Sequence, residues 1–147
     1  MSIEIGRKPR ERLDARLDQL KPVDRFKSPP KGWIKALREA LGMSGAQFAK
    51  RLGVSPQTAS AMEKSEVNAS IKLETLRKAA EALDCTLVYA LVPNTSLQQI
   101  VNARARLIAV REISQVSHSM KLEDQLVTTK ETEQQIESYI RNDLTER

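Results

Sequence analysis

The chain has 147 residues, of which 40% are hydrophobic but only 3% aromatic, so any core must be mainly aliphatic. This length suffices for one domain of ordinary size with additional segments. A single cysteine excludes an internal disulfide, and a single histidine leaves no cluster with metal-ligand spacing. No stretch of the sequence is apolar for long enough to span a membrane. We therefore expect a cytoplasmic protein without a metal or another cofactor.

The formal net charge is +5, and the basic surplus lies in the first quarter of the chain. Residues 1–35 contain ten lysines and arginines against five acidic residues, and the remainder of the chain is balanced. Leu13, Leu17 and Leu20 share one face of a helix that is predicted from about residue 9 to 21. The candidates for phosphate contacts in this basic segment are Arg7, Arg10 and Arg12. A solvated face that only aids solubility is the alternative.

Prolines end this basic segment. Pro22, Pro29 and Pro30 cannot continue a helix and bias the preceding residues toward extended backbone. Residues 1–32 are therefore predicted to comprise a basic N-terminal helix and a linker. Four short helices then follow in close succession, which predicts a helical domain over residues 33–85.

The outer helices of this domain are predicted to close a small core. Trp33, Leu37 and Leu41 form the apolar stripe of the first helix, which Gly42 ends. The fourth helix has Ser70 as its predicted N-cap. Its apolar stripe contains Leu73, Leu76, Ala80 and Leu83.

The second and third helices are joined by a very short turn. Ser44 and Gln47 have the S-x-x-Q spacing of a capping box, and Gly53 suits the C-terminus of the second helix. Ser55 then caps the third helix, with Pro56 at its first position. The third helix presents small or hydrogen-bonding side chains outward, which gives the pair the form of a helix-turn-helix. So slim a helix can enter a DNA major groove, which is about 12 Å wide.

Two segments of the chain carry a family resemblance. LREALGMSGAQFAKRLGVSPQTASAMEKSE, followed by LETLRKAAEALDCTL, is similar to the Xre/Cro helix-turn-helix family over about residues 33–83. The resemblance implies a phage-repressor-like bundle that binds double-stranded DNA. It also implies a structural ion pair between Arg38 in the first helix and Glu63 late in the third, with free surface charges as the alternative. One departure is Gly45, which occupies a position where the family usually has glutamine.

The same resemblance implies roles for individual side chains. Gln57, near the start of the third helix, can pair with adenine N6 and N7, while Lys64 is placed for a phosphate. Ala61 can contact a thymine methyl group. The DNA-binding candidates of this domain are Gln47, Ser55, Gln57, Thr58, Ser60, Ala61 and Lys64. For each of them, a solvated surface residue is the alternative.

A narrower resemblance covers more of the chain. PPKGWIKALREALGMS, LRKAAEALDCTLVYALVP and HSMKLEDQ together resemble the small proteins called mobile mystery protein A. Proteins of that type resemble antitoxins in that they are encoded beside a Fic-domain protein. The resemblance therefore implies autoregulation and a Fic-domain toxin as a partner. The Ser/Thr-x-x-x-Glu-Gly/Asn pattern of Fic-inhibiting helices has no match in the chain.

The segment CTLVYALVP is predicted to contain a β-strand ended by Pro93, which makes residues 86–93 a separate dimerisation element. A lone apolar strand leaves backbone groups unpaired, and the same strand of a second copy can pair with them. A homodimer would also read two DNA half-sites. A tail packed over the chain's own helices is the alternative. The predicted dimerisation residues are Thr86, Leu87, Val88, Tyr89, Ala90, Leu91 and Val92.

Residues 94–147 are predicted to form a C-terminal helical region with a wide apolar face. One stripe contains Leu97, Val101, Ala105 and Ile108. The adjoining stripe contains Ile100, Ala103, Leu107 and Val110. A thinner stripe follows with Ile136, Ile140 and Leu144. Whether these helices cover the dimer strands or bind another protein stays open.

Together these features predict a mainly α protein: a helix-turn-helix bundle with one strand paired across a dimer, and helices at both ends. The predicted function is that of a sequence-specific transcriptional regulator, autorepressing and antitoxin-like, which reads a palindromic operator as a homodimer. Cys85 has no visible base nearby and no glycine-rich phosphate loop occurs, so we do not expect an enzyme. The alternative is a helical protein-interaction scaffold or toxin-binding module without sequence-specific DNA binding.

Overall fold

The computed structural model of the chain describes residues 6–120 and 129–142, which are mainly helical as predicted. A 3-10 helix spans Val23–Phe26. The α-helices in these ranges are α1 (Arg7–Asp18), α2 (Trp33–Ala40), α3 (Gly45–Leu52), α4 (Pro56–Val67), α5 (Leu73–Ala82), α6 (Leu97–Met120) and α7 (Thr129–Asn142). None of these helices is both long and apolar enough to cross a membrane.

The described residues separate into two compact units. The central unit, Pro22–Ala90, contains α2 to α5. The terminal unit combines the described parts of Met1–Lys21 and Leu91–Arg147, and contains α1, α6 and α7. The predicted division separated residues 1–32 from residues 94–147. The structure differs because α1 packs against α6, which in turn packs against α7.

The core of the central unit is small and forms around one aromatic ring. Phe48 is fully buried, α3 packs on both α4 and α5, and α2 packs on α4. The other buried core residues are Ile34, Met43, Ala49, Ala59, Ala79 and Leu83. Because three of these are alanines, the helices approach closely and share a single core.

Two details of the central unit differ from the prediction. In α2, Ile34 is buried whereas Trp33 is 43% exposed, so the apolar stripe is turned away from the predicted one. In α5, Lys72 occupies the N-cap position without a side-chain hydrogen bond. The Ser70 hydroxyl instead donates to the Ser65 carbonyl oxygen, because the chain makes an additional turn before α5 begins.

In the terminal unit, polar side chains of α1 form hydrogen bonds with α6. Arg10 is buried, and its Nε donates to Gln98 Oε1 at 3.0 Å. The Asp14 carboxylate accepts hydrogen bonds from the backbone N–H groups of Leu97 (2.7 Å) and Gln98 (3.2 Å) and so caps α6. Leu13, predicted to face an apolar surface, is 46% exposed. The face of α1 directed at α6 therefore carries Arg10 and Asp14.

The remaining contact of the terminal unit joins α6 and α7 through small and aliphatic side chains. Ala105 and Ala109 of α6 are buried, as is Ile136 of α7. Ile140, one turn later, is half-buried. Leu144, the last residue of the predicted thin stripe, lies outside the described residues. One stripe of α6 therefore faces the interior of the unit.

The predicted β-strand is absent from the chain as described. Residues 86–93 carry neither helix nor strand, and Val88, Tyr89 and Leu91 are 83%, 65% and 88% exposed. A strand requires a neighbouring backbone with which to pair, and no described segment supplies one. The prediction of a strand is therefore wrong for the single chain. The residues concerned are Thr86, Leu87, Val88, Tyr89, Ala90, Leu91 and Val92.

Candidate nucleic-acid interface

Local capping groups fix both ends of α3 and the start of α4. Ser44 Oγ accepts the N–H of Gln47 at 3.2 Å, while Gln47 Oε1 accepts the N–H of Ser44 at 2.8 Å, so the predicted capping box is present. Gly53 ends α3 with φ +70°, a conformation that glycine adopts without steric cost. Ser55 Oγ then accepts the N–H of Thr58 at 3.1 Å and starts α4. The direction of α4 is thus set within a few residues.

The two sides of α4 differ in burial. Ala59 is buried and Met62 is half-buried against the core of the central unit. The side chains at Gln57, Ser60 and Lys64 are exposed. A shallow groove along this outward side is lined by Pro56, Gln57, Ser60, Ala61 and Lys64. Since most of these side chains are short, the exposed side of α4 has the dimensions and polarity that a major groove accepts.

Three of the predicted DNA-contact residues have structural roles at the starts of α3 and α4. The Ser55 and Thr58 hydroxyls are hydrogen-bonded to each other at 2.8 Å. Gln47 is exposed, but its Oε1 is used in the capping box. Its Nε2 is the group that remains able to donate to a phosphate oxygen. Ser55 and Thr58 therefore fix the start of α4, and Gln47 fixes the start of α3.

The structure brings Arg38 and Glu63 together. Arg38 Nε lies 2.6 Å from Glu63 Oε1, and the second arm of the guanidinium lies 3.3 Å from Oε2. The two side chains are only 12% and 13% exposed, and Arg38 also donates to the Met43 carbonyl oxygen at 2.9 Å. The hydrogen bond to Glu63 raises the pKa of Arg38 above its ordinary value. The charged pair therefore ties the end of α4 to α2.

Residues 34–89, which span α2 to α5, match the family model described as helix-turn-helix. These residues form a helix-turn-helix domain. Searches of curated proteins and of solved structures gave no match to the chain. The comparisons thus support the wider resemblance over this domain, and they do not support the narrower resemblance to mobile mystery protein A.

A capping group that the sequence did not predict joins the last turn of α4 to the start of α2. The Glu66 carboxylate in α4 accepts the backbone N–H groups of Trp33 (2.7 Å) and Ile34 (2.9 Å) at the start of α2. Gly32 has φ +81°, and a Cβ at that position would lie 2.8 Å from the Glu66 carboxylate. The only local signal is a glycine directly before a helix that has no Ser, Thr, Asp or Asn cap.

We expect Glu66→Ala to lower the free energy of unfolding by about 1–2 kcal/mol, because two N–H groups at the start of α2 lose their acceptor. Urea denaturation of the full chain measures this change. Glu81→Ala on α5, where the glutamate is exposed, is the matched control and should have little effect. Equal losses of stability in the two variants would contradict the capping role.

Two further lysines lie beside the end of α4. Lys35 is half-buried and, like the exposed Lys64, forms no ion pair with any described residue. Lys31 donates to Glu39 at 3.2 Å, and this hydrogen bond lowers the pKa of Glu39. A groove at this place is lined by Lys31, Lys35, Ser60, Glu63, Lys64, Val67 and Asn68. Lys31 and Lys35 belong to the basic first 35 residues, where the predicted phosphate contacts were Arg7, Arg10 and Arg12 instead.

One of the three predicted N-terminal arginines is placed differently from the prediction. Arg10 is buried and hydrogen-bonded to Gln98, so its guanidinium is not presented to an external phosphate. Arg7 is exposed and pairs with Glu11 at 3.0 Å. Arg12 is exposed. The helical spacing placed all of these arginines outward, but it could not show that Gln98 receives one of them.

Proposed function

We propose that the chain is a sequence-specific regulator that binds double-stranded DNA by inserting α4 into the major groove. The observation that carries the proposal is the exposed, slim and polar side of α4, held in place by the capping groups and by the Arg38–Glu63 pair. The match of residues 34–89 to the helix-turn-helix family supports it. In this proposal Gln57 reads a base, while Lys35 and Lys64 contact phosphates.

Binding to randomised duplex DNA at several salt concentrations tests the proposal. Contacts between lysines and phosphates release counterions, so the logarithm of the affinity should fall linearly with the logarithm of the salt concentration. Selection from a randomised duplex pool should then yield a preferred sequence. The alternative, a helical scaffold or toxin-binding module, predicts weak binding at every salt concentration and no preferred sequence.

The lysines allow a sharper experiment. We expect Lys35→Ala and Lys64→Ala each to weaken binding to all duplexes alike and to reduce the salt slope by about 0.9, the value for one lost phosphate contact. Lys78→Ala is the matched control, since Lys78 is exposed on α5 and pairs with Glu74 at 3.1 Å. If Lys78→Ala reduces the salt slope as much as Lys35→Ala and Lys64→Ala do, the slope depends only on the net charge of the protein.

The proposal includes a homodimer on a palindromic operator. Its support is residues 86–92, where large apolar side chains are exposed and no hydrogen bond joins the backbone to another described segment. Pairing with the same segment of a second copy would bury these side chains and supply hydrogen-bond partners for the backbone. Sedimentation of the free protein and of its DNA complex measures the stoichiometry. A parent protein that stays monomeric, and binds DNA as one copy, would remove the dimer from the proposal.

The finer biological role rests on the sequence resemblance alone. An autorepressing, antitoxin-like protein would bind the DNA upstream of its own gene and pair with a Fic-domain toxin encoded beside it. A footprint on that upstream DNA tests the first part. Co-purification of the full chain with a neighbouring Fic-domain protein tests the second part.

A further inference from the structure

The outward side of α6 is an apolar stripe in the terminal unit. Ile100, Leu107 and Val110 are 47%, 65% and 41% exposed, and Ala103 is also exposed. Their 3-4-3 spacing places them on one side of the helix. Ala105 and Ala109 lie on the opposite side and are buried. The two predicted stripes thus differ in exposure: Ala105 of the first is buried within the unit although Ile108 at its end is 37% exposed, whereas the second stripe is exposed along its length.

The charged side chains that α6 carries beside the outward stripe are arginines. Arg104 and Arg111 lie along one edge, both are exposed, and neither forms an ion pair with any described residue. Arg106 lies along the other edge and reaches Glu133 of α7 at only 3.7 Å. The acidic residue of α6 among its described side chains, Glu112, is on the side that carries Ala105 and Ala109. An approaching surface therefore meets an apolar strip with Arg104 and Arg111 along one edge and the ion-paired Arg106 along the other.

We propose that this stripe docks an amphipathic helix of a partner protein whose apolar residues are flanked by Glu or Asp. Helix-to-helix contact buries side chains at this spacing, and flanking charges select the partner. A second copy of α6 would bring arginines opposite arginines in either orientation, which disfavours self-pairing. DNA would be attracted by the arginines, but it offers no apolar surface for Leu107. The inference does not depend on DNA binding by the helix-turn-helix domain.

Fluorescence anisotropy of labelled helical peptides with the full chain tests the proposal. The probe peptide repeats leucines at the 3-4 spacing and flanks them with glutamates. One control peptide has lysines in place of the glutamates, and another has the same composition with its leucines dispersed. We expect the probe to bind about tenfold more tightly than either control, since it alone combines the stripe with complementary charge.

Variants of α6 separate the apolar and charged contributions. Leu107→Gln should weaken the probe by about tenfold, and Arg104→Glu with Arg111→Glu should reverse the preference toward the lysine-flanked peptide. Circular dichroism and duplex binding should be unchanged in both variants, which shows that they remain folded.

Three results would overturn the proposal. The first is equal affinity of the glutamate-flanked and lysine-flanked peptides for the parent chain. The second is a parent dimer that dissociates on Leu107→Gln, since a second copy would then cover the stripe. The third is a reduced salt slope of duplex binding in the Arg104→Glu, Arg111→Glu variant, which would assign these arginines to DNA.

Discussion

Replacing Glu63 with alanine is expected to destabilise the helix-turn-helix domain by about 3–5 kcal/mol, because it leaves a charged guanidinium largely buried without its carboxylate. Arg38 is only 12% exposed and would keep the Met43 carbonyl oxygen as its hydrogen-bond acceptor. A guanidinium does not lose its proton in proteins, so Arg38 cannot avoid this cost by becoming neutral. Glu63→Gln retains one acceptor and should fall between the parent and Glu63→Ala. Urea denaturation of the full chain measures each change.

A double-mutant cycle isolates the interaction between the two side chains. Arg38→Ala, Glu63→Ala and the double variant should show a clear coupling energy. The exposed pair Lys31–Glu39 is the matched control, with side chains 63% and 42% exposed. Its coupling should be below about 1 kcal/mol, because water screens exposed charges. Similar coupling in the two cycles would show that burial adds nothing to the Arg38–Glu63 pair.

The position of the Arg38–Glu63 pair determines how its loss should affect DNA binding. Glu63 faces Arg38 and the core side of α4, away from the outward residues Gln57 and Ala61. Loosening this contact lets the end of α4 move relative to α2. We therefore expect variants of the pair that remain folded to lose affinity for all duplexes, while their base preferences stay those of the parent.

Signals that act over a few residues predicted the helix-turn-helix well. The capping box at Ser44, the left-handed Gly53 and the cap at Ser55 each depend on atoms within one turn of a helix. Such signals mark where helices begin and end whatever surrounds them. The boundaries of α3 and α4 could accordingly be predicted from the sequence.

Contacts between distant parts of the chain could not be predicted in this way. Glu66 caps α2 across more than thirty residues of sequence, and Asp14 caps α6 across more than eighty. Arg10 was expected to face outward but is buried, and its hydrogen bond to Gln98 offsets part of the cost of removing its charge from water. Each of these arrangements depends on which helices pack together, and that information is not local.

Residue composition alone also led to the prediction of a strand that residues 86–93 do not form. Residues 86–92 contain the β-branched and aromatic side chains that sheets favour, yet these preferences act only when a second backbone lies alongside. Within the described residues no such backbone is present, and the segment has no regular structure. A strand propensity of this kind indicates a segment that can pair with another backbone, rather than an element that the single chain forms.

The exposed glutamine in the first turn of α4 carries the most direct test of base reading. Gln57 follows Pro56, is exposed, and has no hydrogen-bond partner in the described part of the chain. Its carboxamide can donate and accept at once, as adenine N6 and N7 require. We expect Gln57→Ala to reduce discrimination by about 1–3 kcal/mol at the base pair that Gln57 contacts. Affinity for random duplex should change little, because the residue is neutral.

Selection from a randomised duplex pool, followed by competition with single-base variants of the selected site, measures this loss for each position. Gln47→Ala is the matched control: it removes a second exposed glutamine of the same domain, whose Oε1 accepts the Ser44 N–H instead of facing a base. That variant should weaken all duplexes to a similar extent, because it disturbs the start of α3. If Gln57→Ala and the parent select the same sequence with equal discrimination at every position, Gln57 does not read a base, and the exposed side of α4 must recognise DNA through other residues.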